Sequence, residues 1–155
     1  YAAKFLEIDD STFDSVSKNR YYKKLANINN SFLLFNDPSN SPEFKTCCKS
    51  AVIYLRNNTR NNHLVSEENI NYGFCKNLYA SKPIGKTICL ILALFTAIYS
   101  FFSVNTFYDI PLQNLVAFSS NILFFLFWKF GITDEMLNQA SRRYAFTLIS
   151  AIDTL

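Results

Sequence analysis

Two apolar stretches decide the fold: residues 84–104, IGKTICLILALFTAIYSFFSV, and residues 112–130, LQNLVAFSSNILFFLFWKF. As α-helices of this length, each would extend about 30 Å, the thickness of the hydrocarbon core of a bilayer. Fewer than ten residues separate them. The sequence therefore predicts a transmembrane helical hairpin.

Charge is distributed unevenly around this hairpin. The chain carries a formal net charge of +3, yet residues 84–130 contain only Lys86, Asp109 and Lys129 as charged side chains. We therefore expect a mainly α fold with a cytosolic helical sensor domain at residues 1–82, the hairpin at residues 83–131 and a cytosolic C-terminal oligomerisation helix at residues 132–155.

Helix signals organise the first domain. Thr12–Ile28 has its acid early and its bases late, which suits the helix dipole. Ser41-Pro42-Glu43 combines an N-cap serine, a first-turn proline and an acid, and so marks a helix start. We expect another helix from Ser66 that ends or kinks at Pro83. The remaining segments are Lys4–Ile8, predicted as a strand or a frayed end, and Asn29–Asn40, predicted as a loop whose apolar patch Phe32–Phe35 packs against the soluble domain.

The tail, Thr133–Leu155, has the pattern of one more helix, with Thr133 as its cap. Its apolar residues repeat every seven positions, as in a short coiled coil. An apolar surface of this kind would need a cover in water, which indicates self-association or packing on the soluble domain. The two lines are Leu137, Tyr144 and Ala151, and Ser141, Leu148 and Leu155.

Basic residues predict the orientation in the membrane. Lysines precede the first run and Lys129, Arg142 and Arg143 follow the second, whereas the connection Asn105–Pro111 has none. Because basic residues stay on the cytoplasmic side, we expect a multi-pass protein of the bacterial inner membrane with both termini in the cytoplasm. The chain starts at Tyr1 rather than at methionine, which predicts further residues upstream.

Polar residues within the runs are the first candidate site. Asn114 and Asn121 are seven residues apart, with Ser120 beside the second, so they share a helix face. Such amides need a partner or water. They either join helices to one another or line a pore in an oligomer such as a tetramer. Phe124 and Phe125 would then face lipid or form a hydrophobic gate that closes by dewetting.

The second candidate site is basic. Arg20, Lys23, Lys24, Arg56 and Arg60 lie among aromatic residues of the soluble part, and the helix spacing of the first three predicts one common face. This combination suits a nucleotide or a single-stranded nucleic acid, whereas for any single residue ordinary positive charge near anionic lipid is the more common explanation. The sequence offers no catalytic constellation, cofactor motif or metal-ligand spacing, so we expect a protein that is not an enzyme and that has no cofactor.

One segment resembles a known class of proteins. Ser66–Phe74, SEENINYGF, followed by Asn77-Leu78 and Lys82–Gly85, resembles the segment before the first membrane helix in small bacterial two-helix effectors of anti-phage defence, including the Hailong type. The resemblance implies an oligomeric membrane channel whose opening depolarises an infected cell and aborts the infection. It also implies a nucleotidyltransferase partner that makes a nucleic-acid signal. It assigns no ligand-binding residue.

Two functional hypotheses follow. The first is a homo-oligomeric pore gated through the cytosolic domain, with the lipid bilayer and further copies of the chain as its partners. The second is a membrane-anchored interaction or scaffold module that does not conduct ions. The intramembrane asparagines distinguish the two, because a pore needs them in contact with water and an anchor needs them in contact with protein.

Overall fold

The computed structural model describes residues 1–103 and 111–155, and it is mainly helical, with no strand in those ranges. The bounds of its elements are α1 Ala2–Phe5, α2 Ser15–Ile28, a 3-10 helix Asn30–Asn36, α3 Pro42–Asn58, α4 His63–Ser103, α5 Leu112–Leu126, a π-helical segment Phe127–Gly131, α6 Asp134–Ser150 and a 3-10 turn Ala151–Thr154.

These elements form two compact units. The first unit comprises Tyr1–Gly73 together with Asn138–Leu155, and the second comprises Phe74–Leu137. The sequence predicted that residues 132–155 would form a separate C-terminal oligomerisation helix. Most of that tail instead belongs to the unit formed by the N-terminal residues.

Side-chain caps start several helices where the sequence predicted. The Asp14 carboxylate accepts a hydrogen bond from the Ser17 amide at 2.8 Å, so α2 begins three residues later than the predicted Thr12. Ser41 caps α3 through the Phe44 amide at 3.1 Å, and Thr133 caps α6 through the Met136 amide at 3.2 Å. Each cap pairs a backbone amide that has no partner within its helix.

An aromatic core holds the first unit together. The rings of Tyr22, Phe35 and Phe44 lie with centroids 5.3–5.9 Å apart. Leu148 and Ile152 of the tail are fully buried in the same core. Packing on the soluble domain is therefore the alternative that the structure shows for the tail, and its buried side chains are not exposed for self-association.

Two short segments differ from expectation. Lys4–Ile8 was expected as a strand or a frayed end, and α1 covers its first two residues as helix. Asn29–Asn40 was expected as a loop and contains the 3-10 helix. This helix is kinked at Phe32, where φ is −109° and ψ is 15°. Phe32 and Phe35 both lie in the core, where they are 4% and 2% exposed.

The sequence predicted that a helix would end or kink at Pro83, and the predicted end is wrong. Helix α4 is 41 residues long and continues through Pro83. A proline inside a helix removes one backbone hydrogen bond, whereas a helix end would leave several backbone groups without partners. The apolar sequence that follows makes the second cost larger, because hydrocarbon offers no replacement partners.

The second unit contains the two apolar runs, and its helices are long and apolar enough to cross a membrane. Of the apolar window in α4 only 11% is buried, and of that in α5 none is, which distinguishes both from the core helix of a soluble protein. The second run ends in the π-helical segment. Val104 and most of the predicted connection Asn105–Pro111 lie outside the described residues.

Candidate functional site

One stripe of α5 is turned away from the surface. Asn114, Asn121, Phe125 and Trp128 follow each other at i, i+7, i+11 and i+14, and all four are half-buried. A Cβ atom on Gly85 would overlap the Trp128 indole, so α4 and the end of the second run touch there. Glycine at that position permits the close approach, as small residues do between membrane helices.

The neighbouring stripe of α5 is open. Gln113, Ala117, Ser120 and Phe124 follow at i, i+4, i+7 and i+11. Ser120 is half-buried and the other three are exposed, with Phe124 at 61%. We call these four residues the open stripe. The polar residues of α5 therefore extend beyond the half-buried stripe and onto the open stripe.

Asn121 has a partner that the sequence hypotheses did not include. Its amide Nδ2 donates to the Ala117 carbonyl of its own helix at 2.9 Å. The side-chain Nδ2 of Asn114 is buried and has no hydrogen-bond partner among the described residues. The two predicted site residues therefore share a face but differ in how their amides are satisfied.

Side chains of α4 also bond within their own helix. The Thr96 hydroxyl donates to the Leu92 carbonyl at 2.7 Å, and the Thr87 hydroxyl donates to the Pro83 carbonyl at 3.0 Å. The sequence also predicts that Ser100 and Ser103 share a helix face with Thr96, at i+4 and i+7. Ser100 is half-buried, and the side chain of Ser103 lies outside the described residues.

Polar contacts tie α4 to the chain after α5. The Lys82 ammonium donates to the Ile132 carbonyl at 2.6 Å, and interaction with the Asp134 carboxylate raises the pKa of Tyr79. The sequence interpretation used Lys82 only as an orientation signal. These contacts hold the two ends of the hairpin together beside the Gly85–Trp128 contact.

The predicted basic site divides into two groups. Arg20, Lys23 and Lys24 line one open groove on α2, as their spacing predicted. Within the groove, Arg20 forms an ion pair with Asp153 at 2.7 Å. Lys24 lies 3.6 Å from the same carboxylate and donates to the Asp153 carbonyl at 2.8 Å. The C-terminal turn therefore already occupies part of this positive surface.

The other two predicted residues do not line that groove. The Arg56 guanidinium lies 5.9 Å from the centre of the Tyr144 ring, and Arg60 donates to the Asn57 side chain at 3.3 Å. Arg56 thus contacts helix α6, whereas the contact of Arg60 is local, at the end of α3. The structure thus does not bring the five predicted basic residues into one site.

Sequence reasoning missed a buried lysine. Lys18 is 7% exposed, and its ammonium donates to the carbonyls of Glu7, Ile8 and Asp10. Burial lowers the pKa of Lys18, while nearby carboxylates, Asp10 first, oppose that shift. Lys18 thus stabilises the segment between α1 and α2 through these hydrogen bonds. Helix periodicity alone does not predict this structural role.

It also missed a cavity of about 330 Å³ in the first unit, lined by Glu68, Arg142 and Arg143 among others. The sequence interpretation used the two arginines only as orientation signals, and it assigned no functional role to Glu68.

Comparisons with known proteins find no match: no family model fits the chain, and neither a curated protein nor a solved structure is significantly similar to it.

Proposed function

We propose that this protein is a homo-oligomeric membrane pore whose opening is controlled through its soluble unit. The observation that carries the proposal is the open stripe on α5. A glutamine and a serine next to hydrocarbon are costly, because lipid tails offer no hydrogen bonds. Water in a pore, or another copy of α5, would satisfy them.

The composition of the open stripe supports assembly. Ala117 is small and exposed between Gln113 and Ser120, and small residues let membrane helices approach closely. A hairpin of two helices cannot enclose a pore by itself. Several copies arranged with their open stripes toward a common axis would place the polar side chains around it.

A gate fits the same stripe. Phe124 follows Ser120 by one helical turn and is exposed, so it would extend toward the axis and close the pore by dewetting. Phe125 lies on the half-buried stripe with Asn121 and Trp128. Of the two predicted gate residues, we therefore favour Phe124.

The packing of the tail supports the predicted orientation. Asn138–Leu155 and Tyr1–Gly73 form one unit, which favours placing both on the same side of a membrane that the intervening hairpin crosses. We propose the cytoplasmic side of the bacterial inner membrane, because the basic residues flank the hairpin there. A role in anti-phage defence and a nucleotidyltransferase partner remain predictions that rest on the resemblance alone.

The proposal is tested by ion flux from liposomes that contain the purified protein. Ser120→Leu should reduce flux at least tenfold, because it replaces a polar group of the open stripe. Ser119→Leu is the matched control: the adjacent serine is exposed on a different face of the same helix, and its replacement should leave flux unchanged. Absence of flux from the wild-type protein, at every lipid composition and with every ligand tried, would contradict the pore.

A membrane anchor without conductance is the second candidate. It is favoured by the bond from Asn121 to the Ala117 carbonyl, because an amide that is satisfied within its own helix needs no water. A monomeric mass in detergent, together with a stable complex with a cytosolic protein, would favour this alternative.

A further inference from the structure

The cavity in the first unit has the composition of a ligand site. Helix α6 contributes Arg142, Arg143 and Phe146, α4 contributes Glu68, and Thr12 lies on the segment before α2. Its volume of about 330 Å³ is at the small end of the range for small-molecule sites. A ligand of the size of one nucleotide would therefore fill it.

The charges that line this cavity are not neutralised by one another. Neither arginine forms an ion pair with any described residue, and Arg142 has only the ring of Tyr1, 5.8 Å from its guanidinium carbon. The Glu68 Oε2 atom is buried and has no hydrogen-bond partner among the described residues. Both arginines are exposed, so their charge is open to an anion from solution. A buried carboxylate oxygen without a partner is costly, so Glu68 is the one lining group that still lacks a donor.

An aromatic wall completes the cavity. Phe146 is 46% exposed, and its ring is stacked on that of Phe13 with centroids 4.7 Å apart and planes 14° from parallel. Phe13 itself is buried and also contacts Tyr21 edge-on at 5.4 Å. The exposed face of Phe146 is thus a rigidly supported, flat surface of the kind on which a nucleobase stacks.

We propose that this cavity binds a mononucleotide whose base carries an exocyclic amino group. Its phosphate would lie on Arg142 and Arg143, which bind phosphate through several N–H donors. Its base would stack on Phe146, and the amino group would donate to the Glu68 carboxylate after a rotation that turns the buried Oε2 atom toward the cavity. The ligand would thus contact both arginines and give the Glu68 oxygen a donor.

This inference is independent of the proposed pore, because the residues concerned belong to the first unit. It also differs from the ligand site expected from the sequence, whose α2 lysines and arginine line another groove.

Titration calorimetry on the full chain in detergent tests the proposal, with GMP, AMP and CMP as probes. Ribose 5-phosphate serves as the probe without a base. At least one of the three nucleotides should bind tenfold or more tightly than ribose 5-phosphate. If ribose 5-phosphate binds as tightly as all three nucleotides, or if no nucleotide binds, the proposal is wrong.

Variants assign the contacts. Glu68→Met should weaken nucleotide binding about tenfold and leave the affinity for ribose 5-phosphate unchanged. Glu67→Met is the matched control, because Glu67 is the adjacent acid, exposed and 3.5 Å from His63. The melting temperature should not fall in Glu68→Met, since its buried oxygen has no partner to lose. Equal effects of the two substitutions on nucleotide affinity would refute the role of Glu68.

Arg143→Ala should weaken nucleotides and ribose 5-phosphate together, at least tenfold, because all of them carry the phosphate. Arg60→Ala, at an arginine outside the cavity, should change neither. A loss in Arg143→Ala that is confined to nucleotides would overturn the placement of the phosphate.

Discussion

The exposure of phenylalanine side chains differs between the two units. In the first unit, Phe35 and Phe44 are 2% and 1% exposed, whereas in the second Phe101 and Phe102 are 73% and 81% exposed. The first unit has the arrangement of a protein in water, and the second has its apolar side chains outside. The same residue type thus indicates which solvent each unit is built for.

Polar side chains form two kinds of bond in this chain. Buried Lys18 donates to carbonyls 8–11 residues away, and Lys82 donates to the carbonyl of Ile132. In the two apolar runs, Thr87, Thr96 and Asn121 donate to carbonyls four residues back in their own helices. The first kind joins segments that are distant in the sequence, whereas the second kind needs no partner outside the helix.

The largest expected effect comes from emptying the core of the first unit. Leu148→Ala should lower its free energy of unfolding by about 3 kcal/mol, because Leu148 is fully buried. Leu123→Ala in α5, where the leucine is 67% exposed, should change stability by less than about 0.5 kcal/mol in detergent. Urea unfolding of the full chain measures both. Equal effects would remove the contrast between the units.

The next effect concerns polar groups. Lys18→Met should destabilise the first unit by about 2 kcal/mol, because it leaves carbonyls between α1 and α2 without a donor. Thr96→Val removes one bond within a helix and should cost less than about 0.5 kcal/mol. Thermal unfolding followed by circular dichroism provides the comparison. A larger loss for Thr96→Val than for Lys18→Met would reverse our interpretation.

Alkaline pH should weaken the first unit selectively. Burial raises the pKa of Cys48 from 9.0, and that of Tyr22 from 10.0, to about 12 in each case. The folded chain therefore keeps protons that the unfolded chain releases, so stability is complete below pH 9 and falls as the pH rises toward 12. The expected loss is roughly 2 kcal/mol by pH 10.

The pH dependence of urea unfolding measures this loss. Cys48→Ala should flatten the curve above pH 9, whereas Cys89→Ala, in the second unit, should leave it as in the wild type. An unaltered curve in Cys48→Ala would show that this thiol does not cause the alkaline loss.

The smallest expected effect tests whether buried apolar side chains or ion pairs hold the tail in place. Asp153 pairs with Arg20 and Lys24, but the side chains are 37–52% exposed. Asp153→Asn should cost about 0.5 kcal/mol or less, and the difference from wild type should vanish in high salt. A cost close to that of Leu148→Ala would mean that the ion pairs, rather than the core, hold the tail.

Local signals in the sequence predicted much of the helical structure. Ser41-Pro42-Glu43 and Thr133 start helices as expected, because capping depends on residues within one turn. The predicted helix end at Pro83 was wrong because the length and apolarity of the surrounding helix outweigh one lost hydrogen bond. The helix spacing of Arg20, Lys23 and Lys24 predicted their common groove.

Contacts between residues that are distant in the sequence could not be predicted. Nothing near Arg20 in the sequence indicates that Asp153 is its partner. Likewise, the period of α5 placed Asn114 and Asn121 on one face, but which part of that face is covered depends on Gly85 meeting Trp128. Helix periodicity describes one helix at a time, and these contacts depend on how helices pack.

The discontinuous first unit imposes an order on synthesis. Its core needs Leu148 and Ile152, which leave the ribosome only after both apolar helices have been made. Until then, the N-terminal residues lack part of their interior and expose apolar side chains that the tail will later cover. The first unit can therefore be completed only after both apolar helices have been synthesised, and its N-terminal residues are open to non-native contacts during that interval.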